Sequence, residues 1–175
     1  GDHVRNKGAF LFETDEELAA LRAGKIGSEF DIKVWMKGNG YEYRRLKDIK
    51  ALDSFVILPL NLPEAPNVTT WEAALQVSND ELRHWDMAPD NAQKLVAAKI
   101  PFSLTTAGLE NRNLFRKNLL RMVERGFNQK DALAALTTTP AQYLGLSKSL
   151  GTLEKGKIAN LVVTDGDYFD KGTRV

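Results

Sequence analysis

The chain has 175 residues, 43% of them hydrophobic and 27% charged, which suits one domain with a real core and argues against wholesale disorder. Twenty-four Lys and Arg against 23 Asp and Glu leave a formal charge of +1, with no basic face to engage nucleic acid. Zero cysteines exclude disulfides, thiolate metal sites and a thiol nucleophile, and no apolar run approaches the roughly 18 residues of a membrane span.

In chain order, residues 9–12 read as a buried strand. Thr14-Asp15-Glu16-Glu17 follows as a helix N-cap with its capping-box glutamate, and Gly24 and Gly27 are expected to end that helix. IKVWM at 32–36 is β-branched and aromatic, bounded by Gly38-Asn39-Gly40, and reads as the second strand. Residues 43–52 carry Leu46, Ile49 and Leu52 at helical spacing. FVILPL at 55–60 is a continuous apolar run of the kind that is buried on both faces, and Pro59 near its end should stop the ladder.

A Pro-rich connection then leads through residues 71–77 to Ser78-Asn79-Asp80-Glu81, a second capping box opening a helix to Met87. Pro89 breaks the chain, 91–99 is a further helix, and 101–104 is the fourth strand. Residues 113–125 place Phe115, Leu119, Met122 and Val123 on one helical stripe, with Gly126 as the stop. Asn128 and Asp131 start a short helix through Leu136, 140–144 gives another, and 158–164 reads as a fifth strand. Strand–helix alternation over four units predicts an α/β fold with a parallel sheet.

The last third carries a more specific signal. An AL-x-x-T-x-x-PA stretch from Ala132 to Ala141, Leu144-Gly145-Leu146, and a G-x-L-E-x-GK-x-A-N-L-V-V segment from Gly151 to Val163 follow in order. This resembles the C-terminal signature of the amidohydrolase superfamily, in its imidazolonepropionase-like branch. The resemblance implies a TIM-type (β/α)8 barrel plus a small β-sandwich built from both chain ends. Residues 1–148 would form the second half of the barrel and 149–175 the C-terminal strand segment of the sandwich. A full barrel takes about 250 residues, so only half is expected here, and the Gly-Asp start reads as a cut edge. The missing N-terminal barrel half of a parent chain, or a second copy, is then the expected partner. An independent flavodoxin-like domain is disfavoured by the same signature.

Family members usually bind zinc or iron, which activates a water for attack on a non-peptide C–N bond. The ligands are expected at strand ends, and here they are replaced. The strand-one HxH pair is not in the chain. Phe12-Glu13-Thr14 stands where the family places a strand-five histidine, and Lys37-Gly38 where a His-Gly step is usual. Thr105-Thr106-Ala107-Gly108 stands in place of Gly-Thr-Asp, and Asn160 where aspartate is common. An ammonium has no free lone pair for a metal. No metal and no cofactor are therefore expected in this segment.

The candidate site residues are the strand-end Glu13, Lys37, Thr105 and Thr106. Lys37 would anchor an anion or form a Schiff base, against a plain ion pair with Glu13, which is favoured. Glu13 is favoured as a cap over a general base, and the threonines as turn closers over ligand contacts. Gly38-Asn39-Gly40 lacks the third glycine of a phosphate loop and reads as a βα turn. His84 has no histidine at i+3 or i+4 and is expected to pack, His3 to be solvated, and Trp35, Trp71 and Trp85 to belong to the core. The expected function is an inactive C-terminal segment of a metal-dependent amidohydrolase. The alternative is a pseudo-enzyme that binds a small molecule or peptide. Nothing in the chain fixes its compartment or substrate.

Overall fold

A computed structural model describes residues 8–13 and 17–175; the helix cap expected at 14–16, and His3, lie outside the described residues. Four short strands form one sheet: β1 (Phe10–Glu13), β2 (Val34–Lys37), β3 (Val56–Pro59) and β4 (Phe102–Thr105). They lie side by side in chain order, and every pairing is parallel. Each strand falls on an apolar run expected to be a strand, shifted by a residue or two.

The helices are α1 (Glu17–Glu29), α2 (Leu46–Ala51), α3 (Trp71–Gln76), α4 (Asn79–Met87), α5 (Asn91–Ala97), α6 (Leu114–Glu124), α7 (Gln129–Leu136) and α8 (Thr138–Tyr143). Alternation along the strands sorts side chains onto two faces. Val34, Met36, Val56, Leu58, Phe102 and Leu104 join the core with Ile49, Leu95, Leu119, Met122 and Phe127 from the helical side. The register places Glu13, Lys37, Ile57 and Ser103 level on the opposite face.

Several local signals act as the sequence implies. Ser78 and Glu81 form a reciprocal capping box on α4. Gly126 ends α6 at φ +108°, and the next N–H, from Phe127, reaches back to Met122 O at 3.0 Å. Asn128 caps α7 by accepting the Lys130 N–H.

Four expectations need correction. The glycines at 24 and 27 do not end the first helix, because α1 runs through both to Glu29. They are contact positions. A Cβ at Gly24 would lie 2.5 Å from Leu52 Cδ1, and one at Gly27 2.5 Å from Val34 Cγ2 and 2.9 Å from Ile32 O. Close packing of α1 selects glycine there despite its helix penalty of about 1 kcal/mol.

The helix expected over 43–52 is split into a 3-10 turn (Glu42–Arg44) and α2, since Arg45 leaves helical geometry at φ −131° and ψ 30°. The fifth strand expected at 158–164 does not form; among the described residues the sheet has four strands. Apolar, β-branched sequence makes a strand only where a neighbour supplies the ladder. Ile158, Leu161, Val162 and Val163 instead stay between 57% and 79% exposed.

Finally, the tryptophans divide. Trp35 meets the rings of Phe55 and Tyr143 edge-on, and Trp85 lies beside Arg121, but Trp71 is 75% exposed at the start of α3.

Candidate functional site

The carboxyl ends of the four strands gather the sequence-derived candidates. Glu13 ends β1 directly opposite Lys37, which ends β2, and their side chains form an ion pair. Glu13 is 62% exposed and Lys37 24%, so the pair contributes at most about 1 kcal/mol.

Thr105 ends β4 opposite Pro59. Its hydroxyl accepts the Ala107 N–H at 3.2 Å, and the Thr106 carbonyl accepts that of Leu109. Both threonines therefore close the turn after β4. β3 lies between Lys37 and Thr105, and Thr105 stands two residues further along its strand than the Lys37 level. The structure brings Glu13 and Lys37 together and leaves the threonines separate.

The turn that follows Lys37 holds a cluster that no sequence motif flagged. Gly38-Asn39-Gly40 carries the chain out of β2, and the Glu42 carboxylate folds back beneath it. Glu42 Oε1 accepts the N–H groups of Asn39 at 2.7 Å and Gly40 at 3.3 Å, and Oε2 accepts Asn91 Nδ2 at 2.6 Å.

Glu42 is only 6% exposed and Asn91 2%. Asn91 Oδ1 is left buried without a hydrogen bond, at a cost of about 1–3 kcal/mol. A cavity of about 30 Å³ adjoins the turn, lined by Lys37, Gly38, Glu42, Met36 and Val56. The spacing G-N-G-x-E carried a faint signal, since a carboxylate two residues past a glycine turn reaches its N–H groups. Nothing local pointed to Asn91.

A second brace comes from α4. His84 stacks on Tyr41 with ring centroids 3.7 Å apart, and its Nδ1 lies 3.3 Å from Tyr43 Oη. The Arg44 guanidinium covers the Tyr41 ring at 4.4 Å and reaches Asp80 at 3.9 Å, while Lys94 faces Tyr43 from α5. His84 is thus a packing histidine. Burial first, and then the Arg44 charge, hold its pKa below the usual 6.5.

A depressed folded-state pKa means that the fold favours neutral imidazole. Its stabilising contribution is present above the unfolded pKa of about 6.5 and is lost as pH falls toward the folded value. Urea unfolding should therefore show lower stability at about pH 5.5 than at about pH 7.5. His84→Phe keeps the stack but cannot take a proton, so this step should shrink. A step of equal size in that variant would remove His84 as its source.

The framework around this site is shared with known proteins. The chain is similar to an amidohydrolase from Thermotoga maritima MSB8, with a TM-score of 0.73 and 22% identity, over 97% of this chain and 41% of that one. A family model described as the amidohydrolase family matches residues 87–173. Residues 87–173 belong to the amidohydrolase family.

Further likeness extends to a Xaa-Pro dipeptidase with bound methionine in its active site, at TM-score 0.56 and 16% identity, over 88% of this chain and 43% of that one. A prolidase complexed with N-methylphosphonate-L-proline gives TM-score 0.57 and 16% identity, over 92% and 38%. The chain spans about two-fifths of the length of these structures. A search of curated proteins finds no match.

Amidohydrolase chemistry raises the question of whether these strand ends suit a divalent metal. The donor set does not fit one. The carboxylate of Glu13 is engaged by an ammonium, which is itself no ligand. The hydroxyl of Thr105 is turned to its own loop. Among the described residues no three His, Asp or Glu side chains converge as a metal site would require.

Proposed function

We propose that this chain is the C-terminal part of an amidohydrolase-like protein, and that β1–β4 serve as the second half of its (β/α)8 barrel without a metal site of their own. The parent would hydrolyse non-peptide C–N bonds; this segment by itself would be inactive. The observation that carries the reading is the Glu13–Lys37 ion pair, which stands at two strand ends where the resemblance expects histidine ligands. Consecutive parallel strand order supports the barrel half, since doubly wound sheets reverse their order and this one does not.

In the same reading, β1, an edge strand among the described residues, would pair with the N-terminal barrel half or with a second copy. Phe10 and Leu11 on that strand are 41% and 56% exposed. Residues 149–175 would then be the sandwich segment: the exposed 158–164 stretch awaits a partner, while Tyr168 and Phe169 pack against the core and Arg116 of α6 donates to the Tyr168 carbonyl.

A trough of about 1600 Å³ favours the second reading, a pseudo-enzyme that binds a peptide. It is lined by Asn61 and Gly108 from the loops after β3 and β4 and by residues of α6, and it carries both basic (Lys117, Arg121) and acidic (Glu64, Glu110) side chains. Its size and mixed charge suit an extended peptide better than a small metabolite.

The test combines metal and turnover. The purified chain, incubated with zinc or iron(II) and then dialysed, should retain well under one metal per chain. It should also leave N-acyl amines, cyclic amides and Xaa-Pro dipeptides unhydrolysed. Stoichiometric tight metal together with hydrolysis of any of these would overturn the metal-free reading.

A further inference from the structure

We infer that the turn after β2 is a carboxylate-binding nest, that Glu42 is its built-in ligand, and that this internal anion sets the end of β2 where Lys37 stands. The inference is independent of the barrel reading, because it rests on contacts within the chain. Two successive backbone N–H groups, from Asn39 and Gly40, converge on one carboxylate oxygen. The amide of Asn91 meets the other oxygen from a helix 49 residues away. Such convergence is how main-chain turns bind anions, and Gly40 supplies it with a left-handed φ of +91°.

Two further features show that the cradle is shaped to its ligand. Gly38 lies so close that an added Cβ would overlap Glu42 Oε1, so the carboxylate occupies the space a side chain would fill. Asn91 donates one amide hydrogen to Glu42 while its own oxygen stays buried and unpartnered. Removing the Glu42 side chain therefore leaves three aimed donors around a space the size of a small monocarboxylate. Formate is the probe that fits.

The experiment compares thermal unfolding of the wild-type chain and Glu42→Ala in sodium formate and in sodium chloride at equal ionic strength. Glu42→Ala should melt several degrees lower in chloride. Formate should recover a large part of that loss, while the wild-type chain melts alike in both salts. In ¹H–¹⁵N spectra of the variant, formate should return the Lys37, Asn39 and Gly40 amides toward their wild-type positions. A folded Glu42→Ala chain indifferent to formate would overturn the proposal.

Should that variant fail to fold, the wild-type chain and Glu42→Gln decide the matter. The Asn39 and Gly40 amides should be shifted downfield and protected from exchange in wild type, and both effects should weaken in Glu42→Gln. Random-coil shifts and fast exchange at both amides in the wild-type chain would reject the nest.

Discussion

Phe127→Ala is expected to destabilise the chain by about 3–5 kcal/mol, read as a fall in the urea midpoint with little change in slope. Phe127 is 1% exposed, and its ring lies 6.0 Å from that of Phe102 on β4, at an angle of 39°. It reaches this position through the turn that ends α6. Gly126 takes a positive φ, the Phe127 N–H closes back on Met122 O, and the ring is swung under the sheet between α6 and α7.

Truncation would remove both the transfer energy of a full aromatic side chain and its contacts with neighbours that cannot collapse around the void. Those neighbours include Leu119 and Met122 of α6 and Ala132 and Ala135 of α7, all in the same buried cluster. Phe127→Leu should recover more than half of the loss, because it refills most of the volume. A change below about 1 kcal/mol for the alanine variant would mean that α7 is not anchored through this residue.

The same region shows what sequence can disclose. The stop at Gly126, the capping box at Ser78 and Glu81, and the strand runs are all specified within a few residues, so local pattern suffices to find them. The Glu13–Lys37 pair was also within reach. Parallel neighbours that end together place their terminal side chains side by side.

Failures arise where the decisive partner is remote. Gly24 and Gly27 look like helix stops until Leu52 and Val34 are seen packed against them. Glu42 gains its role from Asn91, through a contact that no periodicity encodes. The 158–164 segment fails for a related reason: strand propensity describes how well a residue fits a sheet and supplies no sheet to join.

The strand ends lie apart from the packing that builds the sheet. The core that builds the sheet lies on the helical face, through Met36, Val56, Leu58 and Phe102, whereas Glu13 and Lys37 lie on the other. Glu13 and Lys37 therefore stand outside the buried cluster that holds the sheet on its helices.

Gly38→Ala provides the sharpest test of how the turn behind Lys37 is built. Gly38 does not sit at a positive φ, so alanine meets no backbone strain there. Its methyl group would instead overlap the buried Glu42 carboxylate. Either the turn opens or Glu42 leaves the nest, and both routes give up charge-assisted bonds from Asn39, Gly40 and Asn91. The expected loss is about 2–4 kcal/mol, large for a change from glycine to alanine.

A double-mutant cycle separates steric eviction from any other cause. In a Glu42→Ala background the carboxylate is gone, so adding Gly38→Ala should cost about 1 kcal/mol or less. Equal losses in the two backgrounds would place the damage elsewhere in the turn. A strongly reduced loss would show that the glycine is required by one oxygen atom of the side chain four residues on.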